Sequence, residues 1–266
     1  MSTIIEIFTK YVKIIKRYMR LSYLNYFQTK IDWFSNFFML FFDLFSIGLF
    51  WYSLTELGFQ ISNWGNSQLL TFIGLVLCSD GIAKCLFGFR DFEFLLLNGK
   101  FDCYLVRPVP ILVSILLEKL NVFVIFGKLL IGILLVLYTS LSRSFNSPFI
   151  ATFCLIFGSI TLEMLYGSFT LLSFWFGKIY AAREMFFSFR QAKSYPMQVF
   201  PHLVREIFTY VLPLSFMATI PVNILYGEEV AGLRLLAIIF CLCVGSVILF
   251  TLLLRQGLKK YSSVGS

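Results

Sequence analysis

An all-α, multi-pass membrane bundle is the fold that the sequence predicts, and three observations predict it. Of 266 residues, 59% are hydrophobic, and the mean hydropathy is +0.84. Only 14% are charged, against about 25% in an average soluble domain. The apolar residues gather in runs of about 20, the length a helix needs to cross a bilayer. Lys and Arg fall between those runs and mostly on alternate sides of them. No linker-like stretch rich in Pro, Gly or Ser divides the chain, which predicts one domain.

Six spans follow, over 33–55, 67–87, 120–138, 146–177, 207–226 and 235–254. The first carries one charge, Asp43. The second is the least apolar, with Asp80 and Lys84 in its later half. The third contains Lys128 and the fourth Glu163. The fifth has no charge but holds Pro213 and Pro221, and the sixth is uninterrupted. With the N-terminus inside, only Arg143 and Arg234 fall in outside loops, while almost all other Lys and Arg residues face the cytoplasm. That bias predicts cytoplasmic termini and residence in the cell membrane. It also places Tyr195 to Pro201 on the cytoplasmic side, because Lys178, Arg183, Arg190, Lys193 and Arg205 surround it.

Ahead of the first span, Ile4, Phe8, Tyr11, Ile15 and Tyr18 recur at helical spacing, and Lys10, Lys13, Arg17 and Arg20 share another face. A basic amphipathic helix of this kind suits the inner membrane interface. It serves either as a plain anchor or as a partner-docking helix. The chain thus divides into an interfacial helix over 1–32, a bundle over 33–254 and a cytoplasmic tail over 255–266.

The net charge of +8 suits anionic lipid headgroups better than nucleic acid, because the cations alternate with apolar spans. The six cysteines lack C-x-x-C spacing, and the one histidine, His202, has no ligand set around it. No metal site or cofactor is therefore expected. There is no phosphate-binding G-x-x-x-x-G-K-[ST] loop and no Ser/His/Asp set, so catalysis by this chain is not expected. Glu228 and Glu229 read as solvated charges on an external turn.

Asp43, Lys128 and Glu163 lie near mid-span. A lone charge at the bilayer centre costs about 2.5–3.5 kcal/mol on insertion scales, so such groups face protein or a cavity. The simplest arrangement pairs Lys128 with Asp43 or Glu163. A pair that locks helices together, a substrate path and a proton relay are the three roles open to them.

Between spans two and three, Leu95 to Leu97 followed by Asn98 and Gly99 reads as a short helix with a left-handed cap. A second apolar element follows over 101–106 and is stopped by Arg107-Pro108. A charged surface hairpin this apolar needs a partner protein or the headgroup layer. Phe94, Leu95, Phe101 and Leu105 are its expected docking side chains, with Glu93, Asp102 and Arg107 setting register and Gly99 at positive φ.

The run Gly99-Lys-Phe-Asp-Cys-Tyr-Leu-Val-Arg107-Pro108 resembles the "G-x-hydrophobic-D-x-x-L-x-R-P" stretch of ABC-2 type permeases. Tyr195-Pro196, Pro201, Arg205, Pro213, Phe216, Pro221 and Leu225-Tyr-Gly227 resemble a second stretch of the same family. The resemblance implies the membrane subunit of an ABC transporter, an exporter driven by a separate cytoplasmic ATPase. It also implies a second six-span permease, preferably a different chain. By position, Glu93, Phe94, Leu95, Gly99, Phe101, Asp102, Leu105 and Arg107 would couple to the ATPase. In the wider superfamily a comparable proline stretch before the last span forms an outside re-entrant hairpin, and the charge count here departs from that pattern. The rival reading is a stand-alone secondary transporter or channel built on Asp43, Lys128 and Glu163, and a third is a membrane scaffold that transports nothing.

Overall fold

The computed structural model describes residues 30–56, 64–107, 109–118, 120–142, 145–228 and 232–262, with isolated positions between 14 and 20. No strand occurs among them. The expected interfacial helix over 1–32 lies almost wholly outside the described residues, as do Pro108, Arg143 and Glu229.

The first long helix, α1, runs Lys30–Glu56. It is followed by α2, Asn66–Cys85. After a 3-10 turn, Phe87–Asp91, come α3, Phe92–Leu97, and α4, Phe101–Leu105. The chain continues as α5, Ile111–Glu118, and α6, Val122–Ser142. Next are α7, Pro148–Leu171, and α8, Tyr180–Gln191. After an irregular stretch, α9, Thr219–Tyr226, leads to α10, Leu233–Lys260. Among the described residues four helices are long and apolar enough to cross a membrane: Asn66–Cys85, Val122–Leu141, Pro148–Phe176 and Arg234–Lys260. Within α1 the apolar run is shorter, Phe37–Ser53.

The central helix is α2. Most of it is buried, whereas α6 and α10 are buried over less than a third of their apolar windows. This explains why the least apolar span sits in the middle: it faces protein rather than lipid. Its contact with α6 is backbone-close. A Cβ added at Gly132 would lie 2.6 Å from both the Gly74 carbonyl oxygen and Cys78 Sγ. Small residues at such crossings let membrane helices gain packing that larger side chains would block.

Polar side chains pin one end of the bundle. Thr71 Oγ1 is 2.8 Å from Thr139 Oγ1 and 2.9 Å from the Tyr226 hydroxyl. Gln68 donates to Glu228, and Asn146 N–H donates to the Leu225 carbonyl at 2.9 Å. So α2, α6, α7 and α9 meet there. At the other end Phe89, Phe92, Leu95, Phe101, Ile115, Leu171 and Phe250 form a second core under the α3–α4 hairpin.

The expected fifth span, 207–226, is not one helix. A short helix over His202–Glu206 passes into a π-turn, Ile207–Val211, then Pro213, a 3-10 turn, Leu214–Met217, and only then the eight residues of α9. Pro213 and Pro221 supply the physical reason. Neither can donate a backbone hydrogen bond, and Pro213 also strains a helix that would run through it. The broken stretch is buried all the same: Leu214, Phe216 and Met217 are at most 1% exposed. Phe216 abuts Gly158 of α7, where an added Cβ would come within 2.9 Å.

Tyr195 to Pro201, expected on the cytoplasmic side, packs against α1 and the start of α9. Tyr195 packs edge-on to Phe50 and Trp51 of α1, with ring centroids 5.7 and 6.4 Å away. Met197 N–H donates to Thr219 Oγ1 at 3.3 Å. Pro196 and Met197 are buried, whereas Tyr195 and Val199 are 40% and 46% exposed. Arg190 and Lys193, counted in the sequence as loop cations, are buried in ion pairs. A charge count weighs cations that meet headgroups, and these two meet carboxylates instead.

Candidate functional site

Two polar features stand out: the α3–α4 hairpin and a buried ionic network that runs from it into the bundle. The hairpin has two faces. Phe92, Leu95, Leu96, Phe101 and Tyr104 point inward and are nearly inaccessible. Outward point Phe94, Leu97, Leu105 and Val106, all substantially exposed. The amphipathic period of each short helix produces this split. Leu95 and Phe101, expected on the docking side, therefore belong to the protein's own core, and Leu97 and Val106 share the exposed face with Phe94 and Leu105. The turn between the helices places Gly99 at φ +66°, in the left-handed region that a side chain resists.

The charged hairpin residues mostly hold the hairpin down. Asp102 accepts from the Tyr261 hydroxyl at 2.9 Å, which ties α4 to the residue after α10. Burial, reinforced by that hydrogen bond, pushes the Tyr261 phenol up to about 12. Arg107 pairs with Glu118 at 2.7 Å and stacks over the Tyr104 ring at 4.5 Å. Glu93 is 4% exposed and faces the start of α8. Its Oε1 accepts from Ile179 N–H at 2.9 Å, and its Oε2 lies 3.3 Å from Arg183 Nη1.

The network begins three residues earlier. Arg90 donates from Nε to Glu163 Oε2 at 2.8 Å and from Nη2 to Oε1 at 2.5 Å. This is a bidentate pair inside the protein, with side chains 7% and 0% exposed. Arg190, in the last turn of α8, lies 3.2 Å from the same Glu163 and 3.4 Å from Asp80. Lys193 also pairs with Asp80. Lys128 of α6 closes the far side, 2.8 Å from Asp43 and 3.4 Å from Asp80. Isolated, each ion would cost several kcal/mol to bury, and interleaved signs offset that cost.

Of the two acids expected beside Lys128, the structure brings up Asp43 and gives Glu163 to the two arginines instead. Asp80, Arg90, Arg190 and Lys193 are the members that sequence reasoning missed. Asp80 reads there as a blemish in a weak span, and the cations read as loop charges. The signal that could have found them is spacing: Arg190 and Lys193, three apart, share a helix face, as do Asp80 and Ser79 with the packed side of α2. No group of three metal-ligating side chains occurs among the described residues.

A broken helix laid on an intact one, four long apolar helices and a two-faced surface hairpin describe a polytopic membrane protein. No curated protein matches the chain. A family model described as ABC-2 family transporter protein matches residues 37–265, which is most of the chain, and the protein therefore belongs to the ABC-2 family as a membrane permease.

Proposed function

We propose that this permease is the membrane half of an exporter whose power comes from a separate cytoplasmic ATPase docked on the α3–α4 hairpin. The observation that carries the reading is the pair of grips the hairpin region takes on α8. Glu93 holds the first turn of α8 through Ile179 and Arg183. Arg90 reaches its last turn through Glu163 and Arg190. A helix of 12 residues spans about 18 Å. A push on the exposed face of Phe94, Leu97, Leu105 and Val106 would travel along α8 into the broken segment that follows. Packed ionic links shift as units, which suits them to carrying such a stroke.

The chain would cross the cell membrane six times with both termini cytoplasmic. In this scheme 180–226 forms one discontinuous crossing between the hairpin end and the Asn146 end. Non-helical backbone at membrane depth is tolerated where it is buried in protein, and Leu214, Ser215, Phe216 and Met217 are so buried. Six crossings supply half a path, so a second permease, preferably a different chain, completes it. Family membership does not favour the stand-alone carrier reading of Asp43, Lys128 and Glu163.

The test is purification of the chain from its native host, followed by assay in nanodiscs. A nucleotide-binding protein and a second permease should co-purify. Gly99→Val and Arg107→Glu should insert and assemble but lose most of the ATPase pull-down and the cargo-stimulated hydrolysis. Arg107 and Glu118 are both more than a third exposed, so losing that pair costs the fold about 0–1 kcal/mol. The proposal fails if both variants keep full coupled hydrolysis, or if no ATPase accompanies the wild-type chain.

A further inference from the structure

Between α1, α2 and the segment after α8 lies a cavity of about 400 Å³. Small-molecule sites occupy about 300–1,000 Å³, so it has room for one organic ligand. Its lining divides by chemistry. Asp43, Ser46 and Asp80 make a polar part, and Phe50, Trp51 and Tyr195 make an aromatic part. The three rings stand edge to face, with centroids 5.1 Å apart for Phe50 and Trp51 and 5.7 Å for Phe50 and Tyr195.

We propose that this cavity binds an organic cation with a compact apolar body, its charge at Asp43 and its body against Trp51, Phe50 and Tyr195. The charged side chains that line the cavity are both carboxylates. Asp43 is 41% exposed at its side chain and Asp80 24%, whereas Lys128 and Lys193 are below 10%. The cations thus stand behind the carboxylates, and the cavity meets the acidic edge of the network. Lys128, Arg190 and Lys193 outnumber the two carboxylates, so the preference for a cation comes from the exposed carboxylate oxygens the ligand touches, and the hold is loose. Indole and phenol rings add attraction for a cation beside them. A loose, sign-selective site suits a substance that must also be released.

That this ligand is the transported cargo rests on the exporter reading. That the cavity binds such a cation does not, and binding can be measured on the chain without any ATPase. The probes are radiolabelled tetraphenylphosphonium and its near-isosteric anion tetraphenylborate, added to the full chain in neutral-lipid nanodiscs, with empty discs subtracted. Tetraphenylphosphonium should bind saturably at one site and tetraphenylborate should not. Asp43→Asn, which keeps an acceptor for Lys128, should weaken phosphonium binding by about fivefold, the weight of one partly screened ion pair. Ser46→Trp keeps every charge and fills the cavity, and it should abolish saturable binding. Should Asp43→Asn lower folded yield, Ser46→Trp decides alone. Equal saturable binding of both probes, no binding above empty discs, or full binding by the Ser46 variant overturns the proposal. Cation binding without transport would leave the cavity assignment standing and remove the reading of this ligand as the cargo.

Discussion

Glu163 offers the sharpest test of how this bundle is held together. Its side chain is fully buried and carries two arginines, Arg90 at 2.5 and 2.8 Å and Arg190 at 3.2 Å. Replacement by Gln keeps the volume and one acceptor oxygen. The amide nitrogen would then point donor to donor at a guanidinium, and no anion would stand between the two cations. Arg190 retains Asp80 at 3.4 Å, so Arg90 bears most of the loss. A unit ion pair about 4 Å apart is worth about 4 kcal/mol at an effective dielectric of 20. Removing one partner of a buried pair costs about 3–5 kcal/mol by mutation. Glu163→Gln should therefore lower the unfolding free energy by about 3–5 kcal/mol in reversible unfolding from mixed micelles. Adding Arg90→Met removes the cation left facing the amide and should restore a substantial part of that loss. A loss under about 1 kcal/mol, or strict additivity of the two changes within about 0.5 kcal/mol, would refute the reasoning.

Further outcomes follow from other contacts. Lys128→Met should reduce folded yield by taking the cation from Asp43, while Asp80 keeps Arg190 and Lys193, and Asp43→Asn should rescue it better than Glu163→Gln, as thermal unfolding of the doubles will measure. Gly132→Val forces a side chain into the Gly74 carbonyl and Cys78, and overpacking of this kind costs about 1–3 kcal/mol, readable as a lower melting temperature. In a cysteine-free background, a cysteine at Lys100 should label from one face of the membrane and one at Asn146 from the other, while one at Met197 should stay shielded from both. The Tyr261 phenol must stay protonated to donate to Asp102. Its raised folded value, about 12 against about 10 unfolded, means that its contribution is full below pH 10 and lost towards pH 12. Tyr261→Phe should flatten that alkaline limb in a pH series of melting temperatures.

How much of this was legible beforehand depends on what each residue's surroundings contribute. The four intact spans declare themselves, because a run of about 20 apolar residues has few alternatives to crossing a bilayer. The hairpin was equally legible, since Asn98-Gly99 ends one helix and the turn that follows needs positive φ. Which of its apolar residues face outward was not. Leu95 and Phe101 differ from Leu97 and Leu105 only in phase, and phase over five or six residues is set by the core beneath. The fifth span misled for a related reason: an uncharged stretch scores as apolar whether or not its backbone can be helical, and here two prolines outweigh the composition.

The buried network shows why a charge count and a structure can disagree over the same residues. Counting Lys and Arg by segment assumes that each cation faces water or headgroups. Arg190 and Lys193 violate that assumption because α2 supplies Asp80 and α7 supplies Glu163 at the depth α8 reaches. An acid inside a span is the warning sign, since its cost demands a cation from elsewhere in the chain. Read that way, Asp80 and Glu163 together require at least two cations at membrane depth beyond Lys128, which already faces Asp43. The stretch just after span two supplies Arg90 to Glu163, and the stretch after span four supplies Arg190 and Lys193. Drawing Arg190 and Lys193 inward to meet the acids buries Pro196 and Met197 behind them, and Pro213 then interrupts the helix that follows. The broken helix and the ionic network are thus linked: the acids on α2 and α7 fix where the end of α8 packs, and the residues after it, Ser194 and Tyr195, line the cavity there.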